Sequence, residues 1–444
     1  MSGIANLLLR RGFNVSGSDL KESRVTAELQ RLGAKIFFGH SPANIKGADV
    51  VVYSSAIKED NPEIREAKKS NIPLKKRAEA LAELMRDKTV ITVTGSHGKT
   101  TTSSLVSCLL LEAGLKPTIA VGGIFRNIDS NASLGEGKFF VAEADESDGS
   151  FLYYHPDYSI ITNIDYEHLD YYRSFKNEAE AFRKFIYQTK KGGCVFACSD
   201  DPALKGLLAG YEGRHIFFGL EEGADIYPAN IALRALSSQF DCFKQGKFVE
   251  RFELALGGLH NISNSLAVIG LGLELGLEPG LIKKALGGYQ GSRRRLEVKF
   301  SSPDYLLIDD YAHHPTEIRA TLAAVRELKP DRIIAVFQPH RYTRTKLLWD
   351  KFAGSFDSAD YLVLTDIYPA GEKPIAGIDA KGLGAKIKQS SPDKAVHFLA
   401  KEEIVGHILN IIKPGDLVII LGAGDIVKSC DELAERIKRQ VQVA

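Results

Sequence analysis

Apolar positions along the chain follow two periods, and the period of each segment decides the element it predicts. Short runs rich in β-branched and aromatic residues, at residues 34–38, 49–53, 89–93, 139–142, 158–162, 193–197 and 215–218, read as strands. Between them, apolar residues spaced by three and four at residues 4–11, 24–32, 61–70, 100–113, 175–189 and 261–275 predict amphipathic helices. The last part repeats the alternation, with runs at residues 305–308, 332–337, 361–365 and 417–421 that lack a polar face, as strands buried on both sides of a parallel sheet do. The fold class is therefore α/β. A basic, helix-favouring stretch at residues 75–87 and a glycine- and arginine-rich stretch at residues 287–295 divide the chain into residues 1–87, 88–291 and 292–444. The first block opens on a helix, a turn at Gly12 and a strand at residues 14–18. A nucleotide-binding fold places a strand and a glycine loop before such a helix, so the first strand is expected to be missing.

Length agrees with this division, since 444 residues at roughly 150 per domain make about three domains. Lys+Arg 57 against Asp+Glu 56 leaves a formal charge of +1, which supplies no basic field for a nucleic-acid backbone. The 5 cysteines include no C-x-x-C pair, which fits a reducing compartment. Residues 1–9 hold a short apolar run followed by Arg10 and Arg11, the reverse of a signal peptide, and no apolar stretch approaches the length of a membrane span. A cytoplasmic protein with no nucleic-acid or membrane partner is expected, and its oligomeric state is left open.

The sharpest chemical signal is Thr94-Gly95-Ser96-His97-Gly98-Lys99-Thr100-Thr101, which follows an apolar run and opens a helix. Loop N–H groups and the helix dipole would face phosphate oxygens, Lys99 would neutralise the β and γ phosphates, and Thr100 would ligate Mg²⁺. Val93 stands where a general Walker loop has its first glycine, so the loop is a shortened variant. Glu143-Ala144-Asp145-Glu146-Ser147-Asp148 ends another apolar run and offers hard oxygen ligands, with Glu143 and Asp145 expected on one side by strand alternation. Asn163 to Asp170 mixes His168 with carboxylates after a third strand, a weak signal when taken singly. Asn261 and Asn264 open a helix as an N-cap or as nucleotide contacts, and Arg293 to Arg295 form a basic linker or a phosphate grip. Asp309 to Pro315 and Gln338 to Arg344 end strands where doubly wound sheets carry functional loops.

Taken in order, TGSHGKTTT, EADESD, NIDYEHLD, GLHNISN, SRRRLE, DDYAHHPTE and QPHRYTRT resemble the Mur ligase superfamily, together with VSGSD, VVYSSAI and RAEALAELM near the start. The resemblance implies a Rossmann-like N-terminal domain for a UDP sugar, a central P-loop ATPase-like domain, and a Rossmann-like C-terminal domain for an amino acid and part of ATP. The implied activity joins L-alanine to the lactyl carboxylate of UDP-N-acetylmuramate through an acyl phosphate, using ATP and Mg²⁺. It further implies that Gly95, Ser96, His97, Gly98, Lys99, Thr100 and Thr101 bind phosphate, and that Thr100, Glu143 and His168 hold metal. Asn261 and Asn264 would meet adenine, Arg295 a phosphate and Asp310 the ribose, and Lys99, Glu143, His168 and Arg295 would be catalytic. His340, Arg341 and Arg344 would meet alanine and its carboxylate with His313 and His314 nearby, and Ser18, Asp19 and His40 would lie by the UDP. The family's opening strand and glycine loop are not among these residues, and weakened UDP-sugar binding is the expected consequence. The alternatives are a ligase that attaches a whole tripeptide to the same sugar, for which EADEYD would be expected in place of EADESD, and an ATP-binding switch that makes no bond.

Overall fold

A computed structural model describes residues 1–234 and 236–443, leaving aside the side chains of residues 169–170, which end the NIDYEHLD motif, and 441–443. It forms two compact units, one of Met1–Pro228, Cys242–Glu250 and Ser263–Gln290, the other of Ala229–Asp241, Arg251–Ile262 and Gly291–Ala444.

The first unit begins with the helix Ser2–Arg10 and two small parallel sheets, Ser16–Asp19 with Lys35–Phe38 and Val51–Tyr53 with Leu74–Lys76. The stretch expected to be helical from residue 75 is a strand as far as Lys76 and becomes the helix Arg77–Met85 only after it. Its large sheet runs in the order His215–Phe218, Cys194–Cys198, Tyr158–Ile161, Thr89–Thr94, Phe139–Glu143, Thr118–Phe125, parallel throughout, with Ser130–Ser133 antiparallel at the end. Thr89–Thr94 thus lies between two parallel neighbours, so the loops leaving Thr94, Glu143 and Ile161 emerge side by side at the carboxyl ends of the strands. The helix Lys99–Glu112 is buried from Thr100 to Leu110, which is why it lacks a polar stripe. Phe151 stacks on Phe185 at 5.0 Å and meets the edge of Phe182 at 5.3 Å, fixing the helix Phe175–Tyr187 under the same sheet.

Three strands went unread in the sequence: Ile226–Arg234, Ser237–Lys244 and Lys247–Leu254. Their mixed apolar and polar sequence hides a buried face that includes Ile226, Phe240, Cys242, Phe252 and Leu254, but the turn between the last two carried a signal. Gln245 and Gly246 hold φ of 50° and 76°, the pair of positive angles of a tight hairpin turn.

In the second unit six strands run in the order Glu297–Ser301, Tyr305–Asp310, Asp416–Leu421, Arg332–Phe337, Tyr361–Leu364, Ala395–Phe398, parallel except for the antiparallel first pair. Along Arg332–Phe337, Ile333, Ala335 and Phe337 enter one core while Ile334 and Val336 enter the other, the period of two expected of a strand covered on both faces. At its start, Arg332 donates to both carboxylate oxygens of Asp416 at 3.1 and 2.6 Å. All five cysteines are buried free thiols, and burial pushes the Cys108 thiol up to about 11. Among the described residues no helix is long and apolar enough to cross a membrane.

Candidate active site

The loop between Thr94 and Lys99 is held open by glycine at both ends. Gly95 has φ of 130°, and a Cβ there would meet Thr162 Oγ1 and stand 2.9 Å from the Asn163 carbonyl oxygen; at Gly98, with φ of 84°, it would stand 2.5 Å from Asn264 Oδ1. The next strand end is sewn to this loop: Ser96 N–H donates to the Asn163 carbonyl at 3.0 Å, His97 N–H to Asn163 Oδ1 at 2.9 Å, and Asp165 N–H to Ser96 Oγ at 2.8 Å. His97 Nε2 lies 3.2 Å from Asp165 Oδ2. Thr101 is buried in the first turn of the helix.

Lys99 Nζ donates to the carbonyls of Gly95 at 2.6 Å and Ser96 at 3.1 Å and to Glu146 Oε1 at 2.7 Å. Burial works against its charge, but Glu146, Asp145 and Glu143 outweigh that and raise its pKa. Thr100 Oγ1 donates to Glu143 Oε2 at 2.9 Å, and Gly122 N–H donates to the same oxygen at 2.9 Å. Burial raises the Glu143 pKa despite the nearby Lys99. Glu143 and Asp145 both act on the Lys99 charge, but strand alternation is not the reason: the strand ends at Glu143, so Asp145 belongs to the turn, where it accepts from Ser147 N–H at 3.0 Å and lies 3.8 Å from Arg77 Nη2. Lys99 is the largest of the influences that carry the Asp145 pKa below the usual carboxylate value against its burial.

The residue that links these groups is Glu146, whose role the sequence reading missed. Fully buried, it pairs with Lys99 and lies 3.5 Å from His168 Nε2, which is also 3.5 Å from Glu167 Oε2. His168 takes a φ of 55°, a left-handed conformation that a non-glycine residue adopts at a cost. Behind them Glu178 is fully buried, and neither of its carboxylate oxygens has a hydrogen-bond partner among the described residues. Burial, then the charges of Glu146, Glu167 and Asp165, push its pKa from 4.5 up to about 9. Folded Glu178 therefore keeps its proton to about pH 9 while the unfolded chain releases it near 4.5, so the fold loses stability as pH rises through that window. In chelator-treated buffer the Glu178→Gln variant should melt a few degrees higher than the parent at pH 8, and about equally at pH 4.5. A parent whose melting temperature matches the variant at both pH values contradicts a buried neutral carboxyl.

Elsewhere in the first unit Ser18 Oγ donates to Glu63 Oε2 at 2.8 Å and lies 3.0 Å from His40 Nδ1, while exposed Asp19 accepts from Leu20 N–H at 2.7 Å. Glu63, not singled out in the sequence, also accepts from Asn44 Nδ2 at 2.8 Å. Ser18 and His40 are thus brought together around one carboxylate.

In the second unit Asn261 lies inside the helix Leu259–Glu274 rather than capping it, and its amide donates back to the Gly257 carbonyl at 2.8 Å. Asp310 accepts from Leu296 N–H at 2.7 Å and Ala312 N–H at 2.8 Å, so both its oxygens already brace the backbone around the strand end. Of the three arginines, Arg294 is structural: it reaches the carbonyls of Gly422 and Gly424 and lies 3.4 Å from buried Asp309. Arg295 lies over the Tyr311 ring at 5.2 Å, with Glu317 at 3.9 Å. His313 Nδ1 is 3.0 Å from the Tyr311 carbonyl, and buried His314 accepts from Thr316 N–H at 3.3 Å, capping the helix Pro315–Arg326. His340 stacks on Tyr368 with 5.5 Å between ring centroids, and its Nδ1 is 3.0 Å from Arg344 Nη1. Arg341 donates to Glu372 at 2.5 Å. Glu372 and Tyr368 carried no signal in the sequence, being separated from their partners by two helices and a strand.

Comparison with known proteins matches three successive stretches of the chain. Residues 1–89 match the description "Mur ligase family, catalytic domain", residues 93–272 "Mur ligase middle domain" and residues 294–424 "Mur ligase, glutamate ligase domain". The protein named UDP-N-acetylmuramate--L-alanine ligase from Desulfatibacillum aliphaticivorans is 46% identical, covering 96% of this chain and 94% of its own. The protein of the same name from Desulfotalea psychrophila is 45% identical, covering 99% and 96%. The crystal structure of the UDP-N-acetylmuramate-alanine ligase of Thermotoga maritima superposes with a TM-score of 0.85 at 30% identity, covering 99% of this chain and 97% of that one. A phosphate loop at the head of a parallel sheet, acids at the neighbouring strand ends and likeness along nearly the whole length lead to one assignment: the chain belongs to the Mur ligase family.

Proposed function

We propose that this chain joins L-alanine to the lactyl carboxylate of UDP-N-acetylmuramate at the expense of ATP, releasing ADP and phosphate, as a cytoplasmic step of peptidoglycan precursor synthesis. The observation that carries this reading is the convergence of Lys99, Thr100, Glu143 and Glu146 at adjacent strand ends, in a chain 46% identical to a relative named for that reaction. In this reading residues 1–87 take the UDP sugar through Ser18, Asp19 and His40, residues 88–291 take ATP, and residues 292–444 take alanine.

A carboxylate is a poor electrophile, so ATP first converts it to an acyl phosphate. The amine of alanine attacks that carbonyl carbon, and the tetrahedral intermediate expels phosphate as the amide forms. Charge develops first on the transferred phosphoryl group and then on the tetrahedral oxygen, so fixed positive groups lower the barrier. Lys99 and the turn at residues 95–101 serve the phosphates, with the Ser96 and His97 N–H groups kept by Asn163 to hold its shape, Arg295 serves a phosphate oxygen, Asn261 and Asn264 the adenine, and Asp310 the ribose through whatever acceptor capacity its backbone bonds leave. His340, Arg341 and Arg344 receive the amino acid, with His313 and His314 beside them.

The donors present suit Mg²⁺: Thr100 Oγ1 meets Glu143 at 2.9 Å, and buried Glu146, whose Oε1 lies by Lys99 and His168, keeps its Oε2 without a hydrogen-bond partner among the described residues. Thr100, Glu143 and His168 would hold the ion, which supplies charge neutralisation to the phosphates. A coupled phosphate-release assay across all amino acids, with and without UDP-N-acetylmuramate, should give turnover only with the sugar and with alanine preferred. Turnover with the stem tripeptide alone would transfer the assignment to the tripeptide ligase.

A further inference from the structure

Two histidines of the second unit, His313 and His340, have ring centroids 5.7 Å apart, and their hydrogen bonds force opposite tautomers. His313 Nδ1 lies 3.0 Å from the Tyr311 carbonyl oxygen, which only accepts, so its proton is on Nδ1. His340 Nδ1 lies 3.0 Å from Arg344 Nη1, and a guanidinium has N–H groups to give and no lone pair to receive with. His340 Nδ1 is therefore the acceptor, and its proton is on Nε2. Gaining a second proton would require breaking the bond to Arg344 and placing two like charges together.

We propose that Arg344 locks His340 as the neutral Nε2–H tautomer, so that this imidazole gives a hydrogen bond to the carboxylate of the incoming amino acid and takes no proton from its amine. This rests on the reading that residues 340–344 receive the amino acid. All but one of the charged neighbours support the neutral form. Burial, then Arg344 and Arg341, lower the His340 pKa to about 4, with only Glu372 opposing and Arg294 adding to the effect. The Tyr368 ring covers one face of the imidazole, and His313 meets it at 65°. Glu372 is itself bonded to Arg341 and Thr343, which reduces its pull on a proton. The amine's proton must then go to another group, and His340 remains on the donor side of the site over the working pH range.

The test needs no substrate. In the full chain labelled with ¹⁵N-histidine, long-range proton–nitrogen correlation should show His340 with a bare Nδ1 and a protonated Nε2, unchanged from pH 5.5 to 8, and His313 with a protonated Nδ1. Arg344→Met should let His340 titrate or change tautomer inside that range, whereas Arg344→Lys, which can still donate, should keep the parent pattern. A protonated Nδ1 on His340, or an imidazolium at pH 6.5, overturns the proposal. In the phosphate-release assay His340→Gln, whose amide can still donate, should keep the KM for alanine within about tenfold, while His340→Leu should raise it by at least tenfold more. Equal effects of Gln and Leu also overturn it. If the tautomers are as stated but phosphate release needs no alanine, the underlying functional reading fails and the locked imidazole stands.

Discussion

Lys99→Met should lower kcat by roughly three orders of magnitude and also destabilise the fold, and the two losses can be separated. In the structure the ammonium satisfies two carbonyls of its own loop and the fully buried carboxylate of Glu146 at 2.7 Å. Methionine keeps the volume of the side chain and removes the charge, leaving Glu146 buried with its counter-charge gone. Breaking a buried pair from one side costs about 3 kcal/mol, so the melting temperature should fall with the turnover. In the double variant Lys99→Met, Glu146→Gln the stranded charge is gone, and most of the stability should return. On the proposed reading turnover should stay low, because no group replaces a cation that would face the phosphoryl oxygens during transfer. Thermal melts and single-turnover phosphate release on the three proteins decide it. A double variant that regains turnover to within tenfold of the parent would show that Lys99 serves the loop's architecture and not the chemistry.

The glycine turn was legible because it is contiguous with its strand and helix, so Gly95, Gly98, Lys99 and Thr100 carry their own context within a few residues. Glu143 was legible for a similar reason, as the first acid after an apolar run. The partners were not. Glu146 lies 47 residues from Lys99, and Glu178 reaches the same acidic neighbourhood from the buried face of the helix Phe175–Tyr187, where its sequence neighbours Lys176 and Glu180 look like an ordinary solvated stripe. Local pattern gives the element and the face. Which carboxylate lies beside which cation depends on strand order, and the placement of Thr89–Thr94 between Phe139–Glu143 and Tyr158–Ile161 is a long-range choice that periodicity does not encode. Arg294 illustrates the same limit from the other side: the run Arg293 to Arg295 looked uniform, and both Arg294 and Arg295 lie over the Tyr311 ring, yet Arg294 is also bound to Asp309 and the carbonyls of Gly422 and Gly424.

Glu143→Gln should leave the fold intact or slightly more stable and still reduce turnover by two to three orders of magnitude. Oε2 of Glu143 accepts from Thr100 Oγ1 and from Gly122 N–H, both at 2.9 Å, and the carbonyl oxygen of glutamine can accept both bonds. Burial already raises the Glu143 pKa, so the charged form is the less comfortable one in the folded protein, and a neutral amide removes that cost above the ordinary carboxylate range. What glutamine lacks is the negative charge that a hard divalent cation requires of a ligand. The Mg²⁺ concentration for half-maximal phosphate release should therefore rise at least tenfold, while the melting temperature without metal stays within a few degrees of the parent. Glu143→Asp, which keeps the charge but shortens the reach to Thr100 and Gly122, should bind Mg²⁺ better than the glutamine variant and melt lower than it. If both variants match the parent in their Mg²⁺ dependence, the carboxylate at this strand end fixes the glycine loop around Gly122 and has no part in holding metal.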